Sequence, residues 1–219
     1  MSMLSCLEIE PLQAANSSVI WLHGLGANGH DFEPVVQELG IPKSLAIRFI
    51  LPHSKEIPVT VNGGFVMPAW YDILEIGASR KINETDLINS VTEIHKLIQR
   101  ERDRGIASER ILIAGFSQGG AVAYHAALSY PEKLAGILGL STYFPAPAIS
   151  ERQSVNDQIP IQIYHGTQDA MVPESLGQEA YQDLSGFGYP VEYKSYPMDH
   201  EVCLAEIADV SLFIQQTLV

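Results

Sequence analysis

Ser117 lies in a Gly-x-Ser-x-Gly motif, Gly115 to Gly119, that is typical of a serine nucleophile. An apolar run, ILIA, precedes the motif and predicts a buried strand, and the helix-forming run AVAYHAAL follows it. A sharp turn between the two would place the Ser117 hydroxyl above the edge of a sheet. The two glycines lack Cβ atoms, so strand and helix can approach closely around this turn. The motif predicts that Ser117 is a nucleophile beside a helix N-terminus, where developing negative charge is favoured.

Asp169 and His200 are the residues that would activate this serine. Each lies just past a predicted strand, as Ser117 does, and the chain order Ser, Asp, His is that of α/β-hydrolases. In this arrangement Ser117 attacks an acyl carbonyl, His200 takes its proton, and Asp169 holds the imidazole in the required tautomer. Asp199 adjoins His200, and adjacent side chains seldom meet in hydrogen-bond geometry. His165 and His23 are predicted to hold loops in place.

The glycine-rich loop His23-Gly-Leu-Gly-Ala-Asn-Gly29 directly follows a predicted strand and allows two interpretations. Its Gly-x-Gly-x-x-Gly spacing could bind a dinucleotide, but no clear ribose-binding acid follows a next strand, and the fingerprint alone is weak. The alternative is an oxyanion loop, as in hydrolases with a nucleophile elbow. We therefore predict that the backbone N–H groups of Leu25 and Gln118 form an oxyanion hole.

Composition limits the classes of partner. The chain has 219 residues, 46% of them hydrophobic, which predicts one soluble domain over residues 1–219. A net charge of −13 argues against nucleic acid and against anionic membrane surfaces. No apolar stretch is long enough for stable membrane insertion, no secretory signal is evident, and two cysteines cannot form a disulfide framework, so a cytoplasmic protein is expected. No metal-binding spacing occurs among the seven histidines, and we expect no metal or other cofactor.

Hydrophobic periodicity predicts alternating strands and helices, and hence a mostly parallel sheet with helices on both faces. Helices are expected from Phe32 to Leu39 with Asp31 as cap, from 83 to 104 with Asn83 as cap, from Pro173 to about 185, and over 202–217. The predicted strands are 6–9, 19–22, 46–52, 111–114, 134–140, 159–166 and 191–196.

A long segment from His53 to about Lys81 is predicted to be irregular, and it mixes turn residues with apolar and aromatic ones. Long loops in compact domains are usually functional. One interpretation is an acyl-chain wall; the other, left open, is a small hairpin packed on the core. The connection from Ser141 to Gln158 is too short for a cap domain, so any lid is a loop. The expected acyl-binding residues are Met67, Trp70, Tyr71, Leu74 and Phe144, with Val66 and Ile76 also in the wall.

Five motifs together resemble one family across almost the whole chain: WLHGLGANGHDF, PVTVNGGFVMPAWYDI, AGFSQGGAVAYHAAL, YHGTQDAMVP and YPMDHEVC. They are similar to the bacterial carboxylesterase branch of the phospholipase/carboxylesterase family, whose relatives are acyl-protein thioesterases and small lysophospholipases. The resemblance implies a lidless α/β-hydrolase that cleaves esters or thioesters, with the same triad and oxyanion donors. It also suggests a weak homodimer. The glycine-rich Asn62-Gly63-Gly64 departs from the eukaryotic thioesterases and argues against protein depalmitoylation as the main activity.

The sequence thus favours a serine carboxylesterase that acts on short-to-medium acyl esters through an acyl-enzyme on Ser117. Its small-molecule substrate would be an acyl ester or thioester. The alternative is an acyl-protein thioesterase or lysophospholipase that acts on long acyl chains. A more remote alternative is a catalytically silent binding protein of the same fold, since a fold does not guarantee chemistry. A silent relative would be expected to lack a triad residue, and none is missing here.

Overall fold

A computed structural model of the chain describes residues 3–77, 80–145 and 151–218. Its centre is a seven-stranded sheet in the order β1-β3-β2-β8-β9-β10-β11. The edge strand β1 is antiparallel to β3, and the other neighbours are parallel. The seven strands are β1 (Cys6–Ile9), β2 (Ser17–Leu22), β3 (Ile47–Pro52), β8 (Ile111–Phe116), β9 (Gly136–Leu140), β10 (Ile161–Gly166) and β11 (Val191–Tyr196).

Helices cover both faces of this sheet. They are α1 (Glu33–Glu38), α2 (Glu84–Asp103), α3 (Gln118–Leu128), α4 (Glu174–Gly186) and α5 (Leu204–Thr217). Alternate residues of β2 belong to different apolar clusters: Ile20 packs with residues of α2, α3 and α4, whereas Trp21 packs with those of α1 and α5. The period of two along a strand explains this separation. The predicted α/β-hydrolase architecture, a mostly parallel sheet between two helical layers, is confirmed.

The helix signals in the sequence were accurate for α2 and wrong in detail for α1. Asn83 caps α2 by accepting a hydrogen bond from the Asp86 N–H at 3.2 Å. Asp31, however, is not the cap of a helix. Asn28 caps a short 3-10 helix, Gly29–Phe32, and the Asp31 carboxylate reciprocates by accepting from the Asn28 N–H at 2.6 Å. The α-helix begins only at Glu33, because Pro34 favours its first turn.

The segment predicted to be irregular forms two small hairpins instead. β4 (Glu56–Val59) pairs with β5 (Phe65–Pro68), and β6 (Ile73–Ile76) pairs with β7 (Arg80–Ile82). The first hairpin turns at Gly63 and Gly64, whose φ angles of +68° and +80° favour glycine. The hairpin interpretation therefore describes the backbone, although residues 78–79 lie outside the described ranges.

Two further sequence expectations concern lids and membranes. In its described part, the connection between β9 and β10 contains one 3-10 turn, Ser154–Asn156, and no cap domain; residues 146–150 of the expected lid loop lie outside that part. Among the described residues, no helix has the length and apolar character that a bilayer crossing requires.

Glu206, in the first turn of α5, is a fully buried carboxyl group. Neither of its oxygens has a hydrogen-bond partner of normal geometry in the described part of the chain, and the nearby Cys203 backbone N–H offsets only part of the cost of burial. Burial raises the pKa of Glu206 from 4.5 to about 8, because the charged form cannot be solvated there. At neutral pH the folded protein therefore keeps the Glu206 carboxyl group protonated, whereas the unfolded chain releases that proton.

We expect Glu206→Gln to stabilise the protein at alkaline pH. As pH rises from about 4.5 to about 8, the unfolded state loses its proton first, so wild-type stability falls by up to about 1.4 kcal/mol per pH unit. The glutamine variant lacks this loss, so its advantage in unfolding free energy should grow from pH 5 to pH 9. Urea unfolding across that range measures it. Glu179→Gln, at an exposed position on α4, is the control; an equal pH trend in both variants would contradict the prediction.

Candidate active site

Ser117 lies at a strained turn between β8 and α3. Its φ of +53° and ψ of −122° are unfavourable for a residue with a side chain. Two contacts from the end of β9 hold this conformation: the Ser117 N–H donates to the Leu140 carbonyl at 2.8 Å, and the Thr142 hydroxyl donates to the Ser117 carbonyl at 2.6 Å. The neighbouring strand thus fixes the turn that presents the hydroxyl.

The glycines on either side of Ser117 are required by close backbone contacts. A Cβ at Gly115 would lie 2.4 Å from the Gly119 carbonyl carbon, and a Cβ at Gly119 would lie 2.5 Å from the Leu22 carbonyl oxygen. Neither position can hold a side chain unless the backbone moves. The expectation that both glycines permit a close approach of strand and helix is confirmed.

The structure brings Ser117, His200 and Asp169 into one hydrogen-bonded chain. His200 Nε2 lies 2.9 Å from Ser117 Oγ, and His200 Nδ1 lies 2.6 Å from Asp169 Oδ2. The other carboxylate oxygen, Asp169 Oδ1, accepts from the N–H groups of Met171 at 2.9 Å and Val172 at 2.7 Å. With its oxygens engaged in this way, Asp169 can orient the imidazole so that Nε2 faces the serine hydroxyl.

The environment of Asp169 favours its ionised form. Burial of this carboxyl group raises its pKa, but the hydrogen bonds from His200 and the Val172 N–H more than offset that effect. The pKa of Asp169 therefore lies below its ordinary value. An anionic Asp169 is the form that can stabilise a positively charged imidazole.

Sheet topology explains how three distant residues meet. Ser117, Asp169 and His200 follow β8, β10 and β11, whose carboxyl ends lie at the same edge of the parallel sheet. Gly166, at the end of β10, allows the last two loops to touch, because a Cβ there would lie 2.4 Å from the Met198 carbonyl oxygen. A larger residue at 166 would push the acid and imidazole loops apart.

Two other histidines near the site have structural roles, in agreement with the sequence prediction. His165 is buried, its Nε2 lies 2.8 Å from the Val172 carbonyl, and that nitrogen is 3.7 Å from Asp169 Oδ2. His23 Nε2 accepts from the Ser54 N–H at 3.1 Å, so its Nδ1 donates to the Gly24 carbonyl at 2.7 Å. Burial lowers the pKa of both imidazoles, and they remain neutral loop anchors.

The two expected oxyanion donors lie in the same cleft as Ser117 and His200. Gln118 is the first residue of α3, so its N–H has no carbonyl four residues back within the helix. In the loop after β2, the N–H of Gly26 donates to the Pro68 carbonyl at 2.8 Å, whereas the Leu25 N–H has no partner among the described residues. Both N–H groups are therefore available to a substrate oxygen.

A cleft of about 560 Å³ opens beside the nucleophile. Its lining comes from the α1 region, the loop after His200, the two hairpins and the loops that follow β9 and β10. Its apolar lining includes Phe32, Val35, Val61, Met67, Ile73, Ile76, Phe116, Met171, Val172 and Val202, and its polar lining includes Asp31, Asn62, Arg80, Tyr143 and Glu201.

Of the five residues expected to bind the acyl group, Met67 alone lines this cleft. Trp70 and Tyr71 are buried in the core behind it. The Trp70 indole N–H donates to the His23 carbonyl at 2.8 Å, and the Tyr71 hydroxyl is 2.6 Å from that of Tyr143. These contacts hold both side chains in the core, so the structure does not place Trp70 or Tyr71, which were expected to bind the acyl group, in the cleft lining.

Leu74 and Phe144, also expected to bind the acyl group, are likewise not in this lining. On β6, Ile73 is buried and Leu74 is exposed; the pairing of β6 with β7 is irregular between Ile73 and Glu75, so simple alternation of faces does not extend along the strand. Phe144 is buried against the rings of Tyr124 and His125, with centroids 5.6 Å and 5.1 Å away. Ile76, from the wider predicted wall, does line the cleft, whereas Val66 does not.

Sequence reasoning missed a supporting role for the Gln118 side chain. Its Oε1 accepts from the Trp70 N–H at 2.8 Å, and its Nε2 donates to the Tyr71 carbonyl at 2.7 Å. This clamp joins the residue after the nucleophile to the segment between the two hairpins. No local signal marks it, since the partners are more than 45 positions apart.

Within the three described ranges, no group of three or more His, Cys, Asp or Glu side chains is arranged to hold a metal ion. Cys6 and Cys203 are both free thiols. Cys203, the residue before α5, is partly buried against the apolar cluster that contains residues of α1 and α5.

Comparison with known proteins agrees with this geometry. The profile of the phospholipase/carboxylesterase family matches residues 5–218. Acyl-protein thioesterase 1 of Gibberella zeae is 37% identical over 213 residues, which cover 92% of this chain and 91% of the relative. The crystal structure of Arabidopsis thaliana SOBER1 has a TM-score of 0.88 at 32% identity and covers 94% of this chain and all of that one. Zea mays acyl-protein thioesterase 2 has a TM-score of 0.87 at 25% identity, covering 98% and 99%.

Proposed function

The chain belongs to the phospholipase/carboxylesterase family and is a serine hydrolase, and we propose that it releases acyl groups from thioesters and oxyesters through an acyl-enzyme on Ser117. The observation that carries this proposal is the hydrogen-bonded Ser117–His200–Asp169 chain at the edge of an apolar cleft. We further propose medium-to-long acyl thioesters, such as those on acylated proteins, as the preferred substrates.

In the proposed reaction, His200 Nε2 accepts the Ser117 proton as Oγ attacks the acyl carbonyl. Asp169 stabilises the resulting imidazolium, and the N–H groups of Leu25 and Gln118 bind the oxyanion of the tetrahedral intermediate. Each such donor is worth about 3–4 kcal/mol in comparable enzymes. His200 then protonates the leaving thiol or alcohol. A water molecule, deprotonated by His200, releases the acyl group from Ser117 by the same steps in reverse order.

The proposed preference for thioesters is supported by the relatives, and the sequence argument against it does not concern the cleft itself. Acyl-protein thioesterase 1 proteins from several fungi match more than four-fifths of this chain at 35–40% identity. The glycine-rich Asn62-Gly63-Gly64, which argued against this substrate, contributes only Asn62 to the cleft lining. The two glycines form the hairpin turn outside it, so they do not restrict the space for an acyl chain.

The second candidate is the carboxylesterase of short-to-medium acyl esters that the sequence favoured. One feature of the cleft supports it: Asp31, Asn62, Arg80 and Glu201 interrupt the apolar lining. Desolvating such groups against a long hydrocarbon chain is unfavourable. A short acyl group would leave them in contact with water.

Matched series of 4-nitrophenyl esters and S-acyl cysteamine thioesters, from acetyl to palmitoyl, would separate the two candidates. We expect kcat/KM to rise to at least the octanoyl group and to be higher for the thioester at equal chain length. Apolar burial of each additional CH₂ is worth about 0.8 kcal/mol, or roughly fourfold, until the cleft is filled. A maximum at acetyl or butyryl with no thioester preference would instead favour the carboxylesterase.

A further inference from the structure

Arg80 lies in the lining of the cleft that contains Ser117. No carboxylate lies within ion-pair distance of its guanidinium in the described part of the chain. Its Nη2 donates to the Met171 carbonyl, and its Nε is buried with no hydrogen-bond partner among the described residues. The buried Nε is out of reach of a ligand, but Nη1 has no hydrogen-bond partner among the described residues, and the side chain is partly exposed in the cleft lining, so the outer end of the guanidinium is open to a ligand.

The position of Arg80 is set by the second hairpin. Arg80 pairs with Ile76 across β6 and β7, and both side chains line the cleft. The next residue, Lys81, pairs with Glu75 and is exposed outside the cleft, as the alternation of a strand requires. The guanidinium carbon lies 5.2 Å from the centre of the Tyr143 ring. The ring and the Met171 carbonyl together aim the cation into the cleft.

The other charged residues of the lining, Asp31 and Glu201, come from different elements and form no ion pair with Arg80. Asp31 belongs to the 3-10 helix before α1, where its carboxylate accepts from the Asn28 N–H, and Glu201 directly follows His200. The acidic groups of the lining thus come from the segment before α1 and the loop after β11, and its arginine comes from the second hairpin. With a net charge of −13, the protein as a whole repels anions, so any affinity for an anion must come from a local group.

We propose that Arg80 is a specificity residue that binds an anionic oxygen group, a carboxylate or phosphate, on the substrate. The inference rests on the proposed function of the Ser117 site and adds the substrate class. A guanidinium presents paired donors that match such a group, and both partners lose competing water in an apolar cleft. The anion is held through Arg80 at the hairpin wall while Ser117 attacks the acyl carbonyl. Arg80 itself does not touch the reacting atoms.

Two pairs of substrates distinguish the source of the anion. In the first pair the carboxylate is on the acyl chain: 4-nitrophenyl glutarate monoester against the neutral 4-nitrophenyl pentanoate. In the second pair the phosphate is on the alcohol: 1-hexanoylglycerol 3-phosphate against 1-hexanoylglycerol. For each pair the readout is the ratio of kcat/KM for the charged substrate to that for the neutral one.

We expect Arg80→Met to lower this ratio at least about tenfold in one pair, since hydrogen bonds to charged groups are lost, while the neutral ester changes less than about threefold. Arg80→Lys should restore part of the ratio. Lys81→Met removes the same charge from the same hairpin outside the cleft and should leave the ratio unchanged. If Arg80 had a purely structural role, its replacement would lower kcat/KM equally for the charged and the neutral substrate of a pair. Unchanged ratios in both pairs, or an equal fall with Lys81→Met, would overturn the inference.

Binding separates this inference from the proposed function. In the Ser117→Ala background, the non-hydrolysed charged substrate of either pair should bind more weakly by about tenfold when Arg80 is also replaced by methionine, as calorimetry would measure. If Ser117→Ala protein hydrolyses the neutral esters at the wild-type rate, the proposed function fails. In that case the binding difference alone tests the anion site, and equal binding with and without Arg80 would overturn the inference.

Discussion

Replacing Ser117 with alanine is expected to lower kcat for any accepted ester or thioester by roughly 10⁶-fold, as in other serine hydrolases that lose their nucleophile. Alanine keeps the Cβ and removes only the hydroxyl that lies 2.9 Å from His200 Nε2. The strained turn is held by backbone groups and by Thr142, so the fold should persist. Rates with 4-nitrophenyl butyrate, together with thermal unfolding, would measure both effects.

Ser141→Ala is a matched control for this substitution. Ser141 is also buried, has a positive φ of 44° and follows β9 at the same edge of the sheet, but it does not line the cleft. Its hydroxyl has no hydrogen-bond partner among the described residues. We expect activity and fluorophosphonate labelling to survive in Ser141→Ala and to disappear in Ser117→Ala. Labelling that persists without Ser117 would mean that another residue is the nucleophile.

The residues of the candidate triad could be located from the sequence because each carries a local signal. Gly115 and Gly119 are needed for backbone contacts within a few residues of Ser117, so the motif itself encodes the turn. Asp169 and His200 each follow a short apolar strand, and parallel topology brings the carboxyl ends of such strands to one edge. Strand order did not need to be known, since the shared edge is sufficient to bring the three loops together.

The lining of the cleft could not be located in this way, because it depends on which face of each short hairpin points inward. A shift of one residue in register exchanges Ile73 for Leu74, and both are equally apolar. Trp70 is drawn into the core by an indole hydrogen bond to a carbonyl 47 positions away. Arg80 reaches Met171 across 91 positions. Such contacts leave no trace in local composition or periodicity.

Asp169→Asn is expected to lower kcat by roughly 10⁴-fold while leaving the fold intact, by analogy with the same change in other triads. The N–H groups of Met171 and Val172 both donate to Oδ1, so the amide oxygen of an asparagine would occupy that position. Its NH₂ group would then face His200 Nδ1. The imidazole would have to accept there and carry its proton on Nε2, where it can no longer take the Ser117 proton. Rates across pH 6–9 and thermal unfolding would measure the outcome.

Asp199→Asn provides the control, since it removes the carboxylate directly beside His200 in sequence. Asp199 is exposed and makes no hydrogen bond to the imidazole within the described residues, whereas Asp169 Oδ2 lies 2.6 Å from His200 Nδ1. We expect Asp199→Asn to retain activity within about twofold, because an exposed carboxylate in water contributes little to a neighbouring charge. If Asp169→Asn kept more than a tenth of the activity, or if Asp199→Asn were the more damaging change, the orientation of His200 would depend on a different group. We do not expect that result, because Asp169 is buried, ionised and hydrogen-bonded through both of its carboxylate oxygens. In the described chain, no other carboxylate lies within ion-pair distance of the His200 imidazole.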